Sequence, residues 1–120
     1  MVKKDDYTQH ISAQFNAELE DVRSKFLAMG GMVEKQVGDA VTALLDADSR
    51  LAEKVQEVDK LINQMERQID EELVRILARR QPAASDLRFI VAISKSITDL
   101  ERIGDEASKV ARYALVLAEE

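Results

Sequence analysis

The sequence predicts an all-α protein, an antiparallel bundle of three long helices, and three observations carry that prediction. Apolar residues recur at steps of three and four along almost the whole chain. Turn formers are scarce, four Gly and one Pro among 120 residues, too few for the many turns of a β-sandwich or barrel. The helical spacing breaks at two places, near residues 45–49 and at Pro82.

The first helix is predicted over about 9–46, where Ile11, Phe15, Leu19, Val22, Phe26, Met29, Val33, Val37, Val41 and Leu44 fall on one face. Gly30 and Gly31 interrupt it, each costing about 1 kcal/mol relative to Ala, which suggests a bend or the close approach of another helix. Asp48 or Ser49 can cap a second helix, predicted over 49–80 with the stripe Leu51, Val55, Val58, Ile62, Met65, Ile69, Leu73 and Ile76. Arg79 and Arg80 then place positive charge at its negative end, and Pro82 stops it. The stretch Ala83-Ala84-Ser85-Asp86 offers a new cap to a third helix over 84–119, whose stripe is Leu87, Ile90, Ile93, Ile97, Leu100, Gly104, Ala107, Ala111 and Leu115. Connections of about two to five residues fold each helix back along the one before it. The chain is therefore expected to be a single domain, 1–120, with no internal repeat.

Composition excludes several functions. With no Cys there are no disulfides, thiolate metal sites or cysteine nucleophiles, and a reducing compartment is expected. No apolar run approaches the roughly eighteen residues that cross a bilayer, and MVKKDDYTQH holds no signal-like stretch, so a cytoplasmic protein without membrane insertion is expected. A net charge of -6, three Phe, two Tyr and no Trp argue against a nucleic-acid partner. Nucleophile elbows, phosphate-cradling glycine loops and metalloprotease helices are all missing, and the lone His10 cannot build a histidine-carboxylate site.

The acidic residues are more informative. At about 100° per residue, Asp59, Glu66 and Asp70 lie about 40 to 80° from the core centre at Ile62, with Asn63 near 100°. On the third helix Glu101 and Asp105 lie about 40 and 80° from Ile97, with Gly104 beside them. Such an oxygen-rich seam suits hard cations, Mg, Mn or iron. The plain alternative is a set of solvated flank residues: Asp70 can pair with Arg67 and Glu71 with Arg75, whereas Glu66 has no basic residue three or four positions away. Arg102 and Lys109 read as solvated, and Arg79-Arg80 as a helix end.

The segment from Arg79 to Arg88, RRQPAASDLR, followed by Asp99-Leu100-Glu101-Arg102-Ile103-Gly104-Asp105, resembles the PhoU family of phosphate-uptake regulators. The stretches His10–Leu19 and Met29–Glu34 are similar to the start of family members, and the likeness covers nearly the whole chain. The resemblance implies a non-enzymatic cytoplasmic adaptor, peripheral to the plasma membrane through its partners. It would repress the phosphate regulon by linking the ATPase of the phosphate ABC transporter to the sensor histidine kinase. It also implies a metal motif at Glu101 and Asp105, with Asp59, Asn63 and Glu66 from the second helix, for a divalent or iron-type ion: Mg, Mn, Fe or Zn.

The family is built from two tandem three-helix repeats, and here the second ERIGD-type motif is missing, so the chain resembles an N-terminal half. A flank that the second repeat would cover is then expected to drive a homodimer, with or without exchange of helices. Two other functions compete: a carboxylate metal-binding bundle for storage or hydrolysis, and a purely structural oligomerisation module.

Overall fold

The computed structural model describes the backbone of residues 4–119 and the side chains of 12–119; His10 and Ile11 lie outside the described side chains. Three α-helices account for almost all of it: α1 (Lys4–Asp46), α2 (Ser49–Arg79) and α3 (Ala84–Glu119). All three pack on one another in a rod 74 × 23 × 17 Å. The helix boundaries predicted from sequence hold within a residue, except that α1 begins at Lys4 instead of residue 9.

The two turns form by different chemistry. Between α1 and α2, Ala47 takes a left-handed φ of 51°, the Asp48 N–H bonds back to the Ala43 carbonyl at 2.9 Å, and the Asp48 carboxylate caps α2 by accepting from the Leu51 N–H at 3.1 Å. Between α2 and α3, Arg80 is extended and its side chain reaches Glu18 of α1 at 2.9 Å, so it is an interhelical tie rather than a mere helix end. Ala83 stands at the start of α3, accepting the Leu87 N–H, and Ser85 and Asp86 fall inside the first turn, where Asp86 faces the positive end of the helix instead of capping it.

The core divides in two. Large aliphatics, among them Val22, Met29, Ile62, Ile69, Leu73, Ile90 and Ile97, fill the half nearer Pro82. Alanines, with Ala40, Ala43, Ala52, Ala107, Ala111 and Ala114 around Val55, fill the half nearer the first turn. Buried residues on α1 fall at Met29, Val33, Gln36, Ala40 and Ala43, the alternating four and three of a heptad seam. Val37 and Val41, expected inside, flank that seam and are 38% and 46% exposed. Leu87 is likewise exposed, and Ala114 takes the buried position expected of Leu115. Nothing lies within 4 Å of a Cβ added at Gly30 or Gly31, so no helix approaches there, and α1 runs through both.

Candidate functional site

The heptad seam explains how acids come to lean inward. On α2 the buried series is Ala52, Val55, Ile62, Ile69, Leu73 and Ile76. Continuing its alternation of three and four places Asp59 and Glu66 in the two gaps, where the rest of the series is apolar. Both are half-buried. On α3 Gly104 occupies the seam itself, fully buried, and Glu101 and Asp105 stand beside it, half-buried.

Where the two halves of the core meet, one polar layer crosses the bundle. Gln36 of α1 is 2% exposed. Its Nε2 donates to Asp59 Oδ1 at 3.1 Å, to the Gly104 carbonyl at 3.2 Å and, more loosely, to the Val55 carbonyl at 3.4 Å. One amide nitrogen thus touches both other helices. Its own Oε1 is buried with no partner, as is Asn63 Oδ1 on α2. An unpartnered buried polar atom costs about 1–3 kcal/mol, and the same cost falls on Glu18 Oε2 and Arg80 Nε at the end of the bundle nearer Pro82. Gly104 leaves room for this layer: a Cβ there would stand 3.0 Å from Gln36 Oε1 and 3.1 Å from Asp59 Oδ1, tight enough that these side chains would have to shift.

The carboxylates act on one another. Glu101 is pushed up to about 7, chiefly by sharing a proton with Asp105, then by burial, then by the charges of Asp105, Glu66 and Asp59. Glu66 is also raised, first by burial and then by the charges of Asp70 and Asp105, with Arg67 opposing. Among the described residues none of Asp59, Glu66, Glu101 and Asp105 forms an ion pair; the four pairs present involve Asp21, Glu72, Glu18 and Glu106. Asp59 and Asp105 line one open cleft of about 540 Å³ between α2 and α3, with Arg102, Glu106, Ser108, Lys109 and Arg112 on its walls.

Of the five residues anticipated from sequence, Asp59, Glu66, Glu101 and Asp105 lie close enough to act on one another's charge, while Asn63, half-buried on α2, has no recorded contact with them. The structure does not close them around a point: among the described residues no three acidic or histidine side chains stand close enough to hold one ion. Asp70 is exposed, and neither its expected pair with Arg67 nor that of Glu71 with Arg75 is among the ion pairs of the described residues. Lys109 is half exposed, as expected, and pairs with Glu106 at 3.1 Å. Sequence reasoning missed Gln36, because it followed the apolar Val37 instead of the polar residue one place before it. The signal was the spacing: Met29, Val33, Ala40 and Ala43 leave position 36 as the heptad member.

A family model described as the PhoU domain matches residues 26–114. The chain belongs to the PhoU family. It is 75% identical to the phosphate-specific transport system accessory protein PhoU homolog of Pseudomonas aeruginosa, over 100% of this chain and 50% of that protein. To the accessory protein PhoU of Escherichia coli it is 59% identical, over 89% of this chain and 44% of that protein. The crystal structure of PhoU from Pseudomonas aeruginosa superposes with a TM-score of 0.86 at 77% identity, over 88% of this chain and 50% of the other. PhoU from Streptococcus pneumoniae superposes with a TM-score of 0.78 at 37% identity, over 84% and 48%. The chain thus spans about half the length of the PhoU proteins it matches.

Proposed function

We propose that this chain is the N-terminal three-helix repeat of a non-enzymatic regulator of phosphate uptake. In this reading it joins the ATPase of the phosphate ABC transporter to the phosphate-regulon sensor histidine kinase and holds the starvation response off when phosphate is plentiful. The observation that carries it is the 75% identity, across all 120 residues, to a protein named as an accessory of phosphate-specific transport. An accessory acts by contact, so its surfaces and their rigidity are its working parts. The protein works in the cytoplasm, at the inner face of the membrane through its partners; among the described residues no helix is long and apolar enough to cross one.

The seam is proposed as a cation site, held by Asp59, Asn63, Glu66, Glu101 and Asp105. The donors fit a hard ion: all are oxygens, the Asn63 oxygen is buried and unpartnered, and the four carboxylates have no cationic partner among the described residues. A bound cation would neutralise their mutual repulsion and brace α2 against α3. Because no three of them now converge, the longer Glu66 and Glu101 side chains must turn inward on binding. The exposed apolar strip of Val37, Val41 and Ile103 between α1 and α3 supports a homodimer when no second repeat covers it.

A pull-down from cell extract with the full-length protein tests the adaptor reading. Recovery of both the transporter ATPase and the histidine kinase is expected; recovery of neither would overturn it.

A further inference from the structure

Three of the four glycines stand between positions 30 and 38 of α1, and the chain's own fold asks for none of them. Gly30, Gly31 and Gly38 have no positive φ, and a Cβ added at any of the three meets nothing within 4 Å. Each weakens the helix relative to Ala. Two of them belong to a second heptad row. Leu27, Gly31, Glu34, Gly38, Val41 and Leu45 follow one another at steps of four and three, each five residues after a member of the core-facing row and so about 140° round the helix from it. This outer row is bare: Leu27, Val41 and Leu45 are 61%, 46% and 78% exposed, and Gly31, Glu34 and Gly38 are exposed with them. Val41 also lines the apolar hollow between α1 and α3, so row and hollow form one surface. A surface helix ordinarily turns charge to that side, yet between Phe26 and Leu45 only Glu34, Lys35 and Asp39 are charged. The inner row serves α2 and α3, and the outer row has the pattern that receives a helix from outside.

From this geometry we infer that the outer row of α1 seats the same row of a second copy of this chain, in a parallel two-fold pair. The inference rests on the homodimer reading and deepens it by naming the helix that makes the contact. Gly31 and Gly38, one heptad apart, let two backbones approach more closely than larger side chains would, and Leu27, Val41 and Leu45 supply apolar contact on either side of them. Charge selects the occupant. The chain carries a net charge of -6, so much of its surface repels its own copy, whereas this row carries few charges and they are of both signs. Glu34 and Lys35 lie about 100° apart, one on each side of the row's midline, and neither is in an ion pair among the described residues. A two-fold axis along the helices brings Glu34 of each copy to the side that holds Lys35 of the other, the device by which flanking charges set orientation in coiled coils. An antiparallel pair about the middle of the row would instead put both Glu34 side chains on one side and both Lys35 side chains on the other.

The test is sedimentation equilibrium of the wild-type chain, Gly31→Gln, Gly38→Gln, Ile103→Asp, Glu34→Lys, Lys35→Glu and the Glu34→Lys/Lys35→Glu double variant, with a thermal melt of each at a concentration where the chains are single. Wild type is expected at the mass of two chains. Gly31→Gln and Gly38→Gln are each expected at the mass of one while melting at the same temperature or higher, because glutamine is the better helix former and enters open space. Glu34→Lys and Lys35→Glu are each expected to dissociate more readily than wild type, and the double variant, which restores opposite signs across the pair, to recover. Two-chain mass kept by both glycine variants but lost in Ile103→Asp would overturn the inference and leave a homodimer through the hollow beside α3. A double charge variant no tighter than either single one would overturn the pairing of α1 with its own copy. A single-chain mass for wild type would overturn this inference and the homodimer reading together, leaving the row to the rest of a full-length protein.

Discussion

Gln36 Nε2 lies 3.1 Å from Asp59 Oδ1, and this hydrogen bond, with a looser one to the Val55 carbonyl, joins α1 to α2 in the layer that separates the aliphatic half of the core from the alanine half. The aliphatic half supplies apolar burial, and the alanine half lets the helices approach closely. Between them the bundle carries a polar seam whose members repel one another. That contrast organises the expectations below.

Glycine positions separate the seam from the rest of the bundle. Gly31 and Gly38 are exposed, with nothing within 4 Å of an added Cβ, so Gly31→Ala and Gly38→Ala should each stabilise by about 0.5–1 kcal/mol through helix propensity. Gly104→Ala should show no such gain, because its methyl would press on Gln36 Oε1 at 3.0 Å and Asp59 Oδ1 at 3.1 Å. Urea unfolding of the three variants checks the difference.

Glu101 gives the apo protein a pH signature. Its folded value, about 7, lies above the ordinary 4.5, so the folded state holds its proton more tightly than the unfolded chain does. The group's contribution is fully present below about 4.5 and is lost as pH rises through about 7. Asp105, Glu66 and Asp59 are the charges that act on it, and the α1 residue in the layer, Gln36, is neutral. Metal-free wild type should therefore lose melting temperature between pH 5 and pH 7.5 relative to Glu101→Gln, which keeps the uncharged form. Parallel curves for the two proteins would count against a crowded seam.

Much of this was legible in the sequence, and the reasons are physical. Helix limits followed from Asp48 and Pro82, because a cap and a missing N–H act locally. Asp59 and Glu66 were legible as half-buried because they lie about 40 to 60° from the core centre at Ile62, whereas Asp70, at about 80°, is exposed. Gln36 was not found, since polarity at a heptad position looks like exposure until the partner that satisfies it is known. The exposure of Val37 and Val41 has the same origin: a 3.5-residue seam and a 3.6-residue stripe diverge over a helix of 43 residues. The reach of Arg80 to Glu18 spans residues far apart in the chain, which no local pattern encodes.

The groove between α1 and α3 predicts self-association. Val37, Val41 and Ile103 are 38%, 46% and 46% exposed and line an almost wholly apolar hollow with Ala40, Ala107 and Val110. Light scattering at high protein concentration should give the mass of two chains, and Ile103→Asp should return it to one. A single-chain mass for the unaltered protein would contradict the homodimer.

The seam as a cation site is the central claim, and elemental analysis after exhaustive dialysis tests it most directly. Wild type equilibrated with Mg, Mn, Fe and Zn is expected to retain metal, and the Glu101→Ala/Asp105→Ala variant to retain far less at the same folded fraction. Equal metal in the two proteins, or none in either, would contradict it.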